Sequence, residues 1–198
     1  MRKIIAILFI TIITAFTGVS YAQDTPKVVV EKYLKAVRSN NYDEAYSFIS
    51  KTDTTIINWL ELIKYVRKIA PPKLTKVIDL AHNATKQEIV STSVGGITAI
   101  VKIHSMVPDM GETLRVTQDP EDIKSLLDRG GLPKKKKLGE CTLVLEDDIW
   151  KISKVSGVSS GQAAEIAIDL AELILGKDEA KMISKKIDEF IKKREEGA

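Results

Sequence analysis

The side chains able to do chemistry are few and scattered. His82 and His104 are the two histidines of the chain, and Cys141 is its single cysteine. Two histidines supply half of a zinc site at best. Such a site usually takes three or four ligands, and no Asp, Glu or Cys spacing completes one here. His82 falls in a segment read as a turn and His104 on the polar side of a strand, so both are expected at the surface. A cysteine nucleophile needs a base beside it, and the sequence supplies none near Cys141. In "CTLVL" the cysteine shares strand parity with Leu143 and Leu145. A buried, inert thiol follows from that placement, and one cysteine cannot form an intramolecular disulfide.

A carboxylate base would need to interrupt an apolar stripe, because burial is what raises its proton affinity. Asp43, Glu44 and Glu61 instead fall on the polar sides of their helices, where solvated acids are expected. Gly95-Gly96, Gly130-Gly131 and "SGVSSGQ" match no phosphate-cradling pattern. The run Lys134 to Lys137 would attract phosphate or anionic lipid, or guard a strand edge against mispairing; the second is expected. No catalytic residue, metal ligand or cofactor site is therefore predicted, and the chain reads as a non-enzyme. Candidate pocket-lining residues are Tyr33, Trp59 and Ile103, since ligand pockets are mostly apolar. Trp150 reads as core, while Tyr33 and Trp59 fit either a pocket or a core.

The elements that would position these residues can be read from caps and periodicity. Thr25 followed by Pro26 starts a helix: a hydroxyl cap, then a proline at a position whose N–H has no partner in any case. Val29, Val30, Tyr33, Leu34 and Val37 give that helix one apolar face. Asn41, with Glu44 three positions on, caps a second helix, whose buried side is Tyr42, Ala45, Phe48 and Ile49. A third helix is expected from about Thr55 to Ile69, with Ile56, Trp59, Leu60, Ile63 and Val66 inward. Pro71-Pro72 end it.

Beyond the prolines the reading changes to strands. These are Lys73 to Leu80, a turn at His82 to Thr85, Gln87 to Val94, a Gly95-Gly96 hairpin, and Ile97 to Val107. In the last of these Ile97, Ala99, Val101 and Ile103 face one way. "PDMGE" breaks the pattern. Asp119-Pro120 opens a short helix through Leu126 and Leu127, closed by Gly130-Gly131. Strands at about Lys137 to Glu146 and Ile149 to Val155 flank the acidic turn Glu146-Asp147-Asp148. A linker then leads to helices at about Ala163 to Leu175 and Asp178 to Arg194, the first capped by Ser159 with Gln162. Their apolar faces predict packing onto the same protein or a second copy.

The first 22 residues read as an export signal: Arg2 and Lys3, an apolar run from Ile4 to Phe16, and small residues at Ser20 and Ala22 before cleavage at Gln23. The run is too short for a membrane span, and no later stretch is long and apolar enough for one. The protein is thus expected in the periplasm or outside the cell. Removing those two cations from the formal charge of +3 leaves +1, so nothing in the net charge argues for nucleic-acid binding.

Helices first and antiparallel strands after them is an α+β order. "VVVEKYLKAV", a polar break, "NYDEAYSFIS" and the later "LVLEDDIWKISKV" together resemble the nuclear transport factor 2-like superfamily, in particular its exported bacterial branches of unknown function. The resemblance spans about Thr25 to Val155. It implies a curved, mostly antiparallel sheet wrapped around N-terminal helices as a cone with a pocket at its open end. Three parts follow: a signal peptide at 1–22, a cone domain at 25–156 and a C-terminal helical extension at 159–196. Fold alone does not decide function. The expected role is binding a small apolar ligand or a protein partner. The alternatives are a cone-fold isomerase or hydrolase, and a structural subunit forming a homodimer.

Overall fold

The computed structural model describes residues 24–196; the proposed signal segment lies outside them. Its elements run α1 (Pro26–Arg38), α2 (Tyr42–Ser47), α3 (Thr54–Ile69), α4 (Pro72–Ala84), β1 (Lys86–Gly95), β2 (Thr98–Pro108), α5 (Met110–Val116), α6 (Pro120–Asp128), β3 (Lys134–Glu146), β4 (Ile149–Val155), α7 (Ser160–Leu175) and α8 (Lys177–Glu196). This is an α+β fold with one antiparallel sheet in the order β1-β2-β3-β4.

Local chemistry sets most boundaries. The Thr25 hydroxyl accepts from the Val28 N–H, Asn41 from Glu44 and Ser159 from Gln162, each satisfying an N–H that the first helical turn leaves free. In α2 the Glu44 carboxylate also accepts from the Asn41 side-chain amide at 2.8 Å. Gly96 opens the β1–β2 turn at φ +62°, and Asp147 and Asp148 turn β3 into β4 at φ 47° and 60°. The latter is the pair of positive φ values that a two-residue hairpin of matching twist needs. An extra residue on β1 at Val90, and another on β4 at Ser153, shift the register, and such bulges bend a sheet.

Two hydrophobic clusters share helix α3. In the first, Ile56 and Leu60 of α3 join Val30 and Tyr33 of α1 and the inner face of the sheet, including Val101, Cys141, Leu143 and Ile152. In the second, Leu62 and Val66 of α3 meet α4, α5, α6, α7 and α8 through residues such as Leu74, Val77, Ile123 and Ile187. The C-terminal helices thus complete a core rather than trail from one.

Several expectations are corrected. Lys73 to Leu80 is not a strand: Pro71 is extended, Pro72 sits in the first turn, and α4 runs to Ala84. Leu74, Val77 and Ile78 recur at helical spacing, and Leu74 and Val77 are fully buried against the second cluster. His82 consequently belongs to a helix, not a turn. "PDMGE" contains the start of α5, capped by Asp109. Ile97 lies in the hairpin turn and is 68% exposed, whereas Ala99, Val101 and Ile103 do face the core. Lys134 to Lys137 belong to β3 itself. They pair with β2 on one side, while β4 begins its pairing at Cys141 and leaves the lysine half of β3 a free edge.

No helix among the described residues is long and apolar enough to cross a membrane.

Candidate functional site

The inner face of the sheet does not meet the helices everywhere. Toward the Pro108 end of β2 it stands away from α1, and a cleft of about 710 Å³ opens between them. Its floor is apolar, with Tyr33 and Val37 from α1, Trp59 from α3, and Ile103 and Val107 from β2. The three pocket-lining candidates Tyr33, Trp59 and Ile103 therefore come together in one cavity. Trp150 is 8% exposed in the first core cluster.

Three of the floor residues are set there by local pattern. Tyr33 sits on the apolar stripe of α1, one turn beyond Val29 and Val30, and Ile103 shares strand parity with Val101. Trp59 belongs to α3, the helix with two buried faces, and projects between them. Burial pushes the Tyr33 phenol upward, with a smaller contribution from Cys141. Cys141 closes the base of the cleft, and burial pushes its thiol up to about 12. At neutral pH it is a protonated, weakly reactive group.

The rim is polar and of mixed sign. Arg38 and Lys137 contribute cations, and Glu140 and Glu165 contribute acids. None of the four takes part in an ion pair among the described residues. Glu165 stands on α7, so the C-terminal helices supply part of the wall. Sequence reasoning missed this, because it set the tail apart from the cleft-bearing unit.

A second cleft of about 250 Å³, likewise open to solvent, adjoins the first among α3, α4 and α7. Its lining is almost wholly apolar, with Leu62, Ile63, Val66, Ile78, Ala167 and Leu170 prominent. At one side Arg67 donates to Asp79 Oδ1 at 2.5 Å, with the guanidinium largely buried. Val37, Trp59, His82 and Ile166 line both clefts. His82 is half-buried, and its Nε2 is shielded from water with no hydrogen-bond partner. Burial first, then the Arg67 charge, hold the imidazole below its ordinary value, while a backbone hydrogen bond with Arg38 and the Asp79 carboxylate pull the other way. The expectation of a surface His82 is thus corrected: the turn of α4 that carries it packs inward.

His104 lies on the outer face of β2, opposite Glu88 and Leu138. Asp43 and Glu44 are exposed as expected, Asp43 pairing with Lys64 at 3.6 Å. Glu61 differs. It is half-buried, accepts a hydrogen bond from the Tyr46 hydroxyl, and faces Arg194 Nη1 of α8 at 3.4 Å. It fastens the last helix to α3. No cluster of three or more potential metal ligands occurs among the described residues.

No protein-family model matches the sequence, and no curated protein matches it. Among solved structures, a SEC-C motif containing protein from Rhodopseudomonas palustris aligns with a TM-score of 0.37 and 11% identity, over 68% of this chain and 80% of that one. A likeness that loose carries no argument about fold or function.

Proposed function

We propose that the protein is an exported, non-catalytic binding module for a small, largely apolar molecule, built on a cone of the nuclear transport factor 2-like kind. The single observation that carries the reading is the cleft of about 710 Å³ with Tyr33, Trp59 and Ile103 on its floor. Ligand pockets commonly measure about 300–1,000 Å³, with mostly apolar walls and a few polar groups at the edge. The cleft has that size and that distribution. Its carboxylates, Glu140 and Glu165, stand at the rim rather than in the apolar floor, which is where a binding site keeps groups that orient a ligand.

Titration with N-phenyl-1-naphthylamine, a neutral apolar fluorophore, tests the reading. Saturable binding at one site is expected, weakened at least tenfold by Trp59→Ala. Absence of saturable binding, or equal binding by the folded variant, refutes it. Export is tested separately, by N-terminal sequencing of the mature protein: a chain beginning at Gln23 is expected, and a retained Met1 refutes it.

A further inference from the structure

The backbone groups on the free edge of β3 can be assigned one by one. Leu145 N–H donates to Ile97 O at 2.9 Å, and Asp109 N–H donates to Pro133 O at 2.8 Å. Along an antiparallel ladder, residues that bond to a given neighbour alternate with residues that point away from it. With Cys141 opposite Val101 and Lys135 opposite Val107, the odd-numbered residues of β3 therefore bond to β2. The even-numbered ones turn their N–H and C=O the other way. At Glu140 both groups are used: the N–H donates to Ser156 Oγ at 2.7 Å, and the C=O accepts from Ser156 N–H at 2.8 Å. Gly157, at φ +69°, then turns the chain off this line. Lys134, Lys136 and Leu138 are left presenting N–H and C=O groups to no strand among the described residues, and all three are exposed.

This edge is also one lip of the cleft. Lys137, Leu138 and Gly139 line it together with Glu165 and Ile166 of α7. Strand parity puts Lys134, Lys136 and Leu138 on the outer face and Lys137 and Gly139 on the inner one. A strand laid against the edge would hang alternate side chains over the apolar floor and set the others beside Lys134 and Lys136. Neither of these lysines takes part in an ion pair among the described residues. Acids in the added strand would supply the missing partners, whereas a second copy of the edge would set lysine against lysine. Glu140 ends the free stretch, so the acids belong opposite Lys134 and Lys136 and not beyond Leu138.

We propose that the Lys134–Leu138 edge of β3 docks an extended segment of a partner protein, alternately acidic and apolar, which adds to the sheet in line with β4. The free stretch spans ~17 Å at about 3.4 Å per residue, the length of an ordinary strand. Main-chain hydrogen bonds supply affinity in such additions, and alternate side-chain positions supply selectivity. The lysines that protect this edge from its like thus choose its partner. This goes beyond the small-molecule reading of the cleft and does not depend on it.

The probe is the capped peptide Thr-Val-Glu-Phe-Glu-Val-Thr, measured by calorimetry at low ionic strength, where exposed charges are least screened. Its palindromic order presents the same faces in either direction. Saturable binding at one site is expected, with at least tenfold weaker binding of the reordered Thr-Glu-Glu-Val-Val-Phe-Thr. Equal binding of the two overturns the inference, because the lysines would then attract acid without reading a strand. An antiparallel strand uses the glutamate N–H groups, and a parallel one uses the valine N–H groups. N-methylation of one pair is therefore expected to abolish binding and of the other to leave it within threefold; equal binding of the two methylated peptides overturns the inference. Lys136→Glu is expected to weaken the acidic peptide at least tenfold and to favour Thr-Val-Lys-Phe-Lys-Val-Thr instead. Leu138→Pro removes an edge N–H without touching the β2 ladder, a position where sheets tolerate proline, and the folded variant is expected to bind at least tenfold more weakly. Unchanged affinity in either folded variant overturns the inference. If the peptide does not bind while N-phenyl-1-naphthylamine saturates, the inference falls and the cleft reading stands. If neither binds, both fall.

Discussion

Ile187 of α8 is fully buried in the second cluster, far along the chain from the sheet. Ile187→Ala removes three carbon atoms. At about 0.8 kcal/mol per buried carbon the lost transfer energy is roughly 2.4 kcal/mol. The residual cavity adds to this, bringing the total within the ~2–5 kcal/mol seen for such truncations. Because α3 contributes Ile56 and Leu60 to one cluster and Leu62 and Val66 to the other, the loss should be felt by the sheet as well. Urea unfolding followed by far-ultraviolet dichroism and by tryptophan fluorescence reads the two halves separately. In a Trp59→Phe background, which leaves Trp150 as the one tryptophan, the fluorescence comes from the sheet cluster, a region Ile187 does not touch. The expected result is one transition, coincident by both probes, with its midpoint lowered and its slope unchanged. Met182→Ala, at a position 59% exposed on the same helix, should change the unfolding free energy by less than about 0.5 kcal/mol. A fluorescence transition that stays put while the dichroism splits in two would refute the shared core, and α7–α8 would then be a separate unit.

Three further outcomes are expected. Cys141, fully buried with its thiol pushed up to about 12, should resist a soluble thiol reagent in the native state at pH 8 and react on unfolding; rapid native labelling would contradict its placement. His82 is held below its ordinary value when folded, so folding favours the neutral ring. The stability it contributes is complete above about pH 6.5 and is lost as pH falls through the lower folded value. The urea midpoint should therefore drop more steeply below pH 6.5 in wild type than in His82→Leu, and parallel curves would count against it. Asp148→Gly, at φ 60° in the β3–β4 turn, should stabilise the hairpin by about 0.5 kcal/mol, since glycine takes that conformation without steric cost; a lowered melting temperature would show the aspartate side chain to be holding the turn.

Features fixed by neighbours in sequence could be read before the structure. The caps at Thr25, Asn41 and Ser159 depend on groups three residues away, and strand parity placed Cys141 and Leu143 inward from the pattern alone. What escaped reading depended on distant partners. Leu62 lies off the main apolar stripe of α3 and makes sense only once α7 and α8 supply a second surface to bury it. Pro71-Pro72 were read as a stop, yet the second proline is also a permitted first residue of α4, and that ambiguity turned a helix into a strand. Misplacing α4 carried His82 with it. Tyr33, Trp59 and Ile103 could be named because each lies on a long periodic stripe. Ile166 could not, because nothing local says that a helix after a linker of small residues returns to the cleft.

The free edge of β3 has a colloidal consequence. A second molecule aligning the same edge antiparallel would set the lysine segment against its own copy. Lys135 is engaged by Asp109 at 2.7 Å, which leaves Lys134, Lys136 and Lys137 to repel. Like charges about 5 Å apart in water cost roughly 0.8 kcal/mol a pair, and the cost fades as added salt shortens the screening length. Dilute buffer therefore keeps an electrostatic barrier against strand-by-strand growth into fibrils. Concentrated salt lowers that barrier while leaving the fold's two cores untouched, so handling in brine is a condition that would expose an otherwise silent route to polymer.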